Sequence, residues 1–315
     1  MLPYVLLLVA AGYGWAHWDR ALFVHRVGAL LGVMVAWSGL HVATLWLNAD
    51  FDQDEGEVLF GKSVPVPKGI AVWSYATLLA STGIAFYCGF WAGVSMAICA
   101  ALAVAYSHPR LAWKAHAWGG PLVNVLGYGL LTPMAGFSVV EVPLNPRTVV
   151  VWLAAALGVL GTYFAAQAFQ AEDDRARGYR TLVATHGPRV ALQAARLCIV
   201  AGLVIGCGLA AIGWLPRVAL VALPLIVWID LGFQGWMRLP NGGDERAART
   251  QTQRLLVSGL LTFALVFADY WMHMGRNQPV AGLATLAGHP EDRPMLSPLE
   301  MWRWEKANGR RLKTP

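Results

Sequence analysis

Apolar runs separated by short polar breaks fill most of the chain, and most are about as long as the ~20-residue helix that crosses the ~30 Å hydrocarbon core of a bilayer. Between Pro, Gly and charge breaks stand nine such runs: 2–17, 27–48, 69–88, 90–106, 119–140, 147–170, 190–213, 215–237 and 253–274. A polar, Pro-containing tail of roughly forty residues follows Met274. The pattern predicts an all-α polytopic membrane protein with about nine transmembrane helices, divided into a membrane domain over 1–275 and a C-terminal tail over 276–315. The first run has the length of a signal peptide but neither a basic n-region nor a clean small-residue cleavage site, so it is read as a span.

Composition supports a lipid environment. Of 315 residues, 57% are hydrophobic and 13% charged, against about 25% charged in soluble domains, and the mean hydropathy is +0.49. Cys88, Cys99, Cys198 and Cys207 all fall inside apolar runs with no CxxC pair, which points to buried packing rather than metal or redox chemistry. Twelve basic residues fall in the loops of one side, Lys62, Lys68, Arg110, Lys114, Arg175, Arg177, Arg180, Arg189, Arg238, Arg246, Arg249 and Arg254. The other side's loops hold Arg20, Arg26, Arg147 and Arg217. The positive-inside rule therefore turns the twelve toward the cytoplasm, in the cell's inner membrane. Nine spans leave the tail, with its seven basic residues, on the opposite side. Either the span count is off by one or something other than charge bias places the tail. Its end, "LEMWRWEKANGRRLK", mixes Trp with basic residues as interfacial segments do; a protein partner or disorder accounts for it equally well. Nothing in the chain calls for nucleic acid as a partner.

Polar residues inside the spans are costly in hydrocarbon and normally face a cavity. In the second run His41, Asn48 and Asp52 recur at offsets 0, 7 and 11, one face of a helix. In the sixth, Tyr163, Gln167, Gln170 and Asp174 recur at 0, 4, 7 and 11. A shift of 122 residues maps His41 on Tyr163, Asn48 on Gln170 and Asp52 on Asp174, as a pseudo-repeat would. Both stripes end in carboxylates on the same side, Asp50, Asp52, Asp54, Glu55 and Glu57 in one and Glu172, Asp173 and Asp174 in the other. Taken singly, each acidic patch reads as a solvated loop; repeated at matched phase, the two read as a site. Clustered carboxylates raise one another's pKa, and Mg²⁺ resolves that conflict, using one or two carboxylates together with substrate phosphates and water. The loop "AYSHPRLAWKAHAWGG" between the stripes supplies Tyr106, Arg110 and Lys114; its cations suit phosphate oxygens and equally fit the ordinary positive-inside excess. Asn124 in the fifth run lies close behind it.

These residues resemble the UbiA-type intramembrane prenyltransferase superfamily. Its members show Asn-Asp-x-x-Asp-x-x-x-Asp after the second helix, Tyr-Ser-x-Pro-Pro-x-x-x-Lys after the fourth and Asp-x-x-x-Asp-x-x-x-Gly-x-x-Thr-Leu after the sixth. The chain reads "NADFDQDEG", "YSHPRLAWK" and "QAEDDRARGYRTL" at those places, and "VPVPKG" is similar to the family's Arg-Pro-x-x-x-Gly segment before the third helix. The resemblance implies a UbiA-like bundle and Mg²⁺-dependent transfer of an isoprenyl chain from a prenyl diphosphate to a lipophilic acceptor. It further implies catalytic roles for Asp52, Asp174, Tyr106 and Lys114 and metal ligation by Asp52 and Asp174; the neighbouring Asp50, Asp54, Glu172 and Asp173 are expected to stand in as further metal ligands, and Asn48, Gln170, Arg110, Lys68, Arg175, Arg180 and, by its place behind the loop, Asn124 to contact substrate. Ala49, Gly56 and Gln170 stand where the family carries Asp, leaving one aligned carboxylate per motif. Two alternatives follow: a non-catalytic membrane subunit or lipid- or pigment-binding protein docking through its tail, and a terpene cyclase of the same family.

Overall fold

The computed structural model describes residues 2–20, 25–52, 57–58, 61–62, 67–168, 170–240 and 245–273, with the backbone alone at 20, 57–58, 61–62, 245 and 270–273. Asp54, Glu55 and the tail lie outside the described residues. The elements are α1 (Leu2–Arg20), α2 (Val27–Asp52), a ribbon of two-residue strands β1 (Glu57–Val58) and β2 (Gly61–Lys62), α3 (Ile70–Cys88), α4 (Phe90–Ser107), α5 (Gly119–Asn124), α6 (Thr132–Ser138), α7 (Pro146–Gln167), α8 (Ala171–Ala176), α9 (Leu182–His186), α10 (Pro188–Ala211), α11 (Ala222–Met237) and α12 (Glu245–His273). The expected all-α class is what the chain adopts.

Helix stands at the place of every expected run. Among the described residues seven segments are long and apolar enough to cross a membrane: α2, α3, α4, α7, α10, a 3-10 turn joined to α11 over Arg217–Met237, and α12 over Arg246–Asp269. The protein is thus a multi-pass membrane protein. The first and fifth expected runs are helical but fall short of that measure, α1 by its lower apolarity and the fifth because it is broken. Outward faces are apolar, with Val72, Leu79 and Leu197 at 70%, 77% and 69% exposure.

Two interruptions differ from the hydropathy pattern. A π-helical segment, Val125–Leu131, separates α5 from α6. Pro133 cannot donate to the carbonyl four residues back, and the Thr132 amide reaches Gly127 instead, five residues back; the Thr132 hydroxyl also donates to Gly127 O at 2.8 Å. The sixth run ends at Gln167 rather than 170, and the chain restarts as α8 with Glu172, Asp173 and Asp174 in its first turn. Carboxylates favour a helix N-terminus, where the dipole is positive. Tyr163 and Asp174 therefore do not share one continuous helix, whereas His41, Asn48 and Asp52 do.

Glycines let helices approach closely, as apolar spans must when lipid offers no hydrophobic drive between them. At Gly136 of α6 a Cβ would lie 1.9 Å from Val9 O of α1, and at Gly12 of α1 it would lie 1.8 Å from Pro133 O. On the face opposite the α2–α3 and α7–α8 connections, Asn145 caps α7 by accepting from Thr148 N at 2.8 Å and donates to Asp19 of α1 at 2.6 Å. Trp15 of α1 donates to Thr148 Oγ1 at 2.9 Å, and Arg147 lies over the Trp15 and Trp18 rings.

Replacement Gly136→Val is expected to part α1 from α6 and lower stability by about 2–3 kcal/mol. Gly14→Ala, on the same α1 with open space at its Cβ position, is expected to leave stability unharmed or raise it by up to about 1 kcal/mol. Thermal unfolding in detergent separates the two outcomes.

Candidate active site

Cation and anion meet at the end of α2. Asp52, its last residue, forms an ion pair with Lys114, which a short 3-10 turn (Trp113–Ala115) carries in from the loop after α4. Their side chains are 13% and 9% exposed, so the pair is largely shielded from water. One turn before Asp52, Asn48 Oδ1 accepts a hydrogen bond from Ser107 at 2.6 Å. The two residues that open the Tyr-Ser sequence thereby divide: Ser107 locks α4 to α2, while Tyr106 faces the interior.

The second acidic segment is built by the backbone. Gly178 adopts φ +71°; its amide bonds Arg175 O at 3.0 Å and the Tyr179 amide bonds Asp174 O at 2.8 Å, the paired bonds of a Schellman turn. The chain then turns so that Thr181 caps α9, accepting from Ala184 N at 3.3 Å, while its hydroxyl donates to Asp174 Oδ2 at 2.5 Å. Burial raises the Asp174 carboxyl above its ordinary pKa, opposed by the Thr181 hydrogen bond and the Arg177 charge and assisted by Asp173. Arg180 N donates to Ala115 O at 2.8 Å, and a parallel bridge joins His116 to Arg180. That bond fastens the lysine-bearing loop to the acidic turn, so Asp52–Lys114 and Asp174 stand at one mouth. Tyr179 sits under the influence of both acids: burial first, then the charge of Asp52, raise its phenol pKa.

Behind the mouth a cavity of about 270 Å³ runs inward between α1, α2, α4, α7 and the π segment. Both polar stripes line it, His41 and Asn48 from one side and Tyr163, Gln167 and Gln170 from the other, with Tyr106, Asn124, Tyr4 and Tyr128. The break after Gln167 does not remove Gln170 from this wall. Gln167 donates to the Tyr163 hydroxyl at 2.8 Å, and Asn124 donates to Gly120 O at 2.9 Å. His41 Nδ1 is buried with no hydrogen-bond partner among the described residues. Tyr4 and Tyr128 had no signal in sequence: Tyr4 lies in a run read only as a span, and Tyr128 faces inward from within the π turn. Thr181 and Tyr179 lay inside the third motif, yet only the fold shows that one holds Asp174 and the other lies between the acids.

Several residues expected at the site are engaged elsewhere. Asp50 accepts from Gly69 N and Ala71 N at 3.0 and 3.3 Å and so caps α3. Arg175 donates to Ala184 O at 2.9 Å. Lys68, Arg110, Arg180, Glu172 and Asp173 are exposed; neither they nor Asp52, Lys114 and Asp174 line the cavity, whose wall takes Asn48 and Gln170 from the acidic motifs. Asp54 falls outside the described residues.

No cluster of three or more His, Cys, Asp or Glu side chains forms a metal cage among the described residues. What gathers is one carboxylate from each half, Asp52 and Asp174, with the amide oxygens of Asn48 and Gln170 near by. That set fits Mg²⁺ arriving with a phosphate, because this ion takes one or two carboxylates and completes its shell with phosphate oxygens and water.

A multi-pass helical bundle with an interior cavity lined by four tyrosines and by Asn48, Gln167 and Gln170, beside two largely buried carboxylates and a lysine, defines the class as an intramembrane protein with a polar-lined pocket. The particular family follows from comparison: the UbiA prenyltransferase family matches residues 1–255, and the chain belongs to it. Three solved structures share the fold. A UbiA homolog from Archaeoglobus fulgidus bound to DMAPP and Mg²⁺ is 17% identical with a TM-score of 0.62, covering 85% of this chain and 95% of that one. An apo UbiA homolog from Aeropyrum pernix K1 is 18% identical with a TM-score of 0.60, covering 85% and 98%. A digeranylgeranylglyceryl phosphate synthase is 18% identical with a TM-score of 0.55, covering 84% and 97%. No curated protein matches the sequence.

Thr181→Val removes both the hydrogen bond to Asp174 and the α9 cap, and is expected to lower stability by about 2 kcal/mol. Thr181→Ser retains the hydroxyl and loses one buried methyl, so it should fall within about 1 kcal/mol of the parent in thermal unfolding.

Proposed function

We propose that the protein transfers an isoprenyl chain from an allylic prenyl diphosphate to a lipophilic acceptor inside the membrane, with its reaction site facing the cytoplasm of the inner membrane. The observation that carries this reading is a cavity with four tyrosines in its wall whose lining includes Asn48, one turn before the Asp52–Lys114 pair, and Gln170, whose carbonyl accepts from the Asp174 amide. The Archaeoglobus fulgidus relative binds DMAPP with Mg²⁺, and another structure of that homolog binds GPP with Mg²⁺, which supports a diphosphate at the corresponding mouth.

Asp52 and Asp174, assisted by the oxygens of Asn48 and Gln170, would hold Mg²⁺, which when bound neutralises charge on a departing diphosphate. Lys114 presents a cation to the same phosphate oxygens. The allylic C–O bond breaks with its electron pair leaving on the diphosphate. The acceptor's nucleophilic atom supplies the pair for the new bond, and the acceptor releases a proton. Tyr4, Tyr106, Tyr128 and Tyr163 line the space where positive charge develops; their ring faces attract it and their bulk excludes water.

A second reading rests on the Asp52–Lys114 pair: a lysine that satisfies the one aligned carboxylate of the first motif suits a non-catalytic relative, docking to a protein partner through residues 276–315.

Purified protein incubated with geranyl, farnesyl and geranylgeranyl diphosphates and Mg²⁺ is expected to release diphosphate, and EDTA to stop it. Asp52→Asn and Asp174→Asn should each lower turnover by about 10²–10³-fold, and truncation after residue 276 should leave it intact. If no chain length gives metal-dependent release, the transferase reading fails and the non-catalytic one stands.

A further inference from the structure

A second pocket lies away from the catalytic mouth, at the end of the α11–α12 pair on the same face of the bundle. It is a crevice of about 370 Å³ containing two arginines, Arg246 and Arg254. They stand eight residues apart, two turns along one side of α12.

Arg254 is held in place. Its guanidinium lies 5.6 Å from the Trp228 ring centre, and a Cβ at Gly232 would fall 2.3 Å from its Nη1, so the absence of a side chain there makes its berth. Buried Gln251 fixes the α11–α12 spacing by donating to Ile229 O at 3.0 Å. No carboxylate among the described residues pairs with either arginine. Asp230 of α11 is engaged elsewhere, bonded to Arg196 Nε and Nη2 at 2.5 and 3.0 Å and to Gln234 at 2.7 Å; the side chains of Asp244 and Glu245, next to Arg246 in sequence, lie outside the described residues. Arg254 is nine residues into a membrane helix, about 13 Å from its start. A guanidinium held in a half-buried berth with no carboxylate against it among the described residues is left with its planar fork free for phosphate oxygens.

We infer that this crevice binds the phosphate of an anionic membrane phospholipid, held between Arg254 and Arg246. The surroundings favour a lipid over free phosphate. Leu231 and Leu239 flank the arginines on the exterior at 59% and 43% exposure, ready for acyl chains. Gly235 leaves the floor open, with nothing within 4 Å of its Cβ position. The site stands apart from the proposed catalysis and does not depend on it.

The test uses the full chain in detergent, with bound phosphatidylglycerol and phosphatidylcholine counted by native mass spectrometry. Phosphatidylglycerol is expected to be retained over phosphatidylcholine on the order of tenfold, two basic contacts being involved. The double variant Arg246→Gln/Arg254→Gln should bring that ratio to about one. Gly235→Leu, which fills the floor and keeps both cations, should do the same and carries the test if the double variant does not fold. Arg249→Gln, an exposed arginine of the same helix outside the crevice, should leave the ratio unchanged. A ratio near one in the parent protein overturns the site, as does a ratio that survives Gly235→Leu or falls equally with Arg249→Gln. Displacement of the lipid by millimolar inorganic phosphate overturns the lipid as its ligand.

Discussion

The contact between Lys114 and Asp52 sets the arrangement of the site. An ammonium and a carboxylate, each mostly withdrawn from water, are stable only together, and bringing them together draws the loop after α4 onto the end of α2. The Arg180–Ala115 backbone bond then ties that loop to the turn after α8, so three stretches distant in sequence converge at one opening. Within the turn, Gly178 provides the left-handed residue and Thr181 a hydroxyl that serves both the α9 cap and the Asp174 carboxyl.

Helix interruptions give the cavity its polar lining. A continuous fifth helix would satisfy all its backbone groups internally; Pro133 prevents that, and the resulting π turn presents Gly127 and Tyr128 to the cavity beside Asn124 at the end of α5. Non-helical backbone at membrane depth is tolerated where protein or a cavity covers it. The break between α7 and α8 likewise falls beside the mouth, where a chain end exposed to polar surroundings costs least.

Much of the fold was legible in the sequence because its signals are local. Helix-length apolar runs with Pro and Gly breaks locate most helices to within a few residues, though α12 begins eight residues before its apolar run and the fifth run is broken, and family membership follows from three motifs in order. The site was legible in part. The stripes His41–Asn48 and Tyr163–Gln167 do face one cavity, because helical phase fixes which side chains share a face, and Gln170 joins them from the turn after α7. Spacing could not show which carboxylates are otherwise engaged. Asp50 and Asp52 stand two residues apart, about 200° around the helix, so one turns to the amides of α3 and the other to Lys114. Arg175, beside Asp174, turns to α9 for the same reason.

By itself the sequence determined a multi-pass helical protein of the UbiA family with one aligned carboxylate in each acidic motif, since apolar length, breaker residues and motif order are properties of neighbouring residues. Only the tertiary structure decided that Lys114 lies against Asp52, that Thr181 holds Asp174, that Tyr4 and Tyr128 complete an aromatic cavity, and that Arg246 and Arg254 share a crevice without a carboxylate partner among the described residues. Those pairings depend on which helix faces meet and how closely glycines let them approach, and packing between distant segments leaves no periodic trace along the chain.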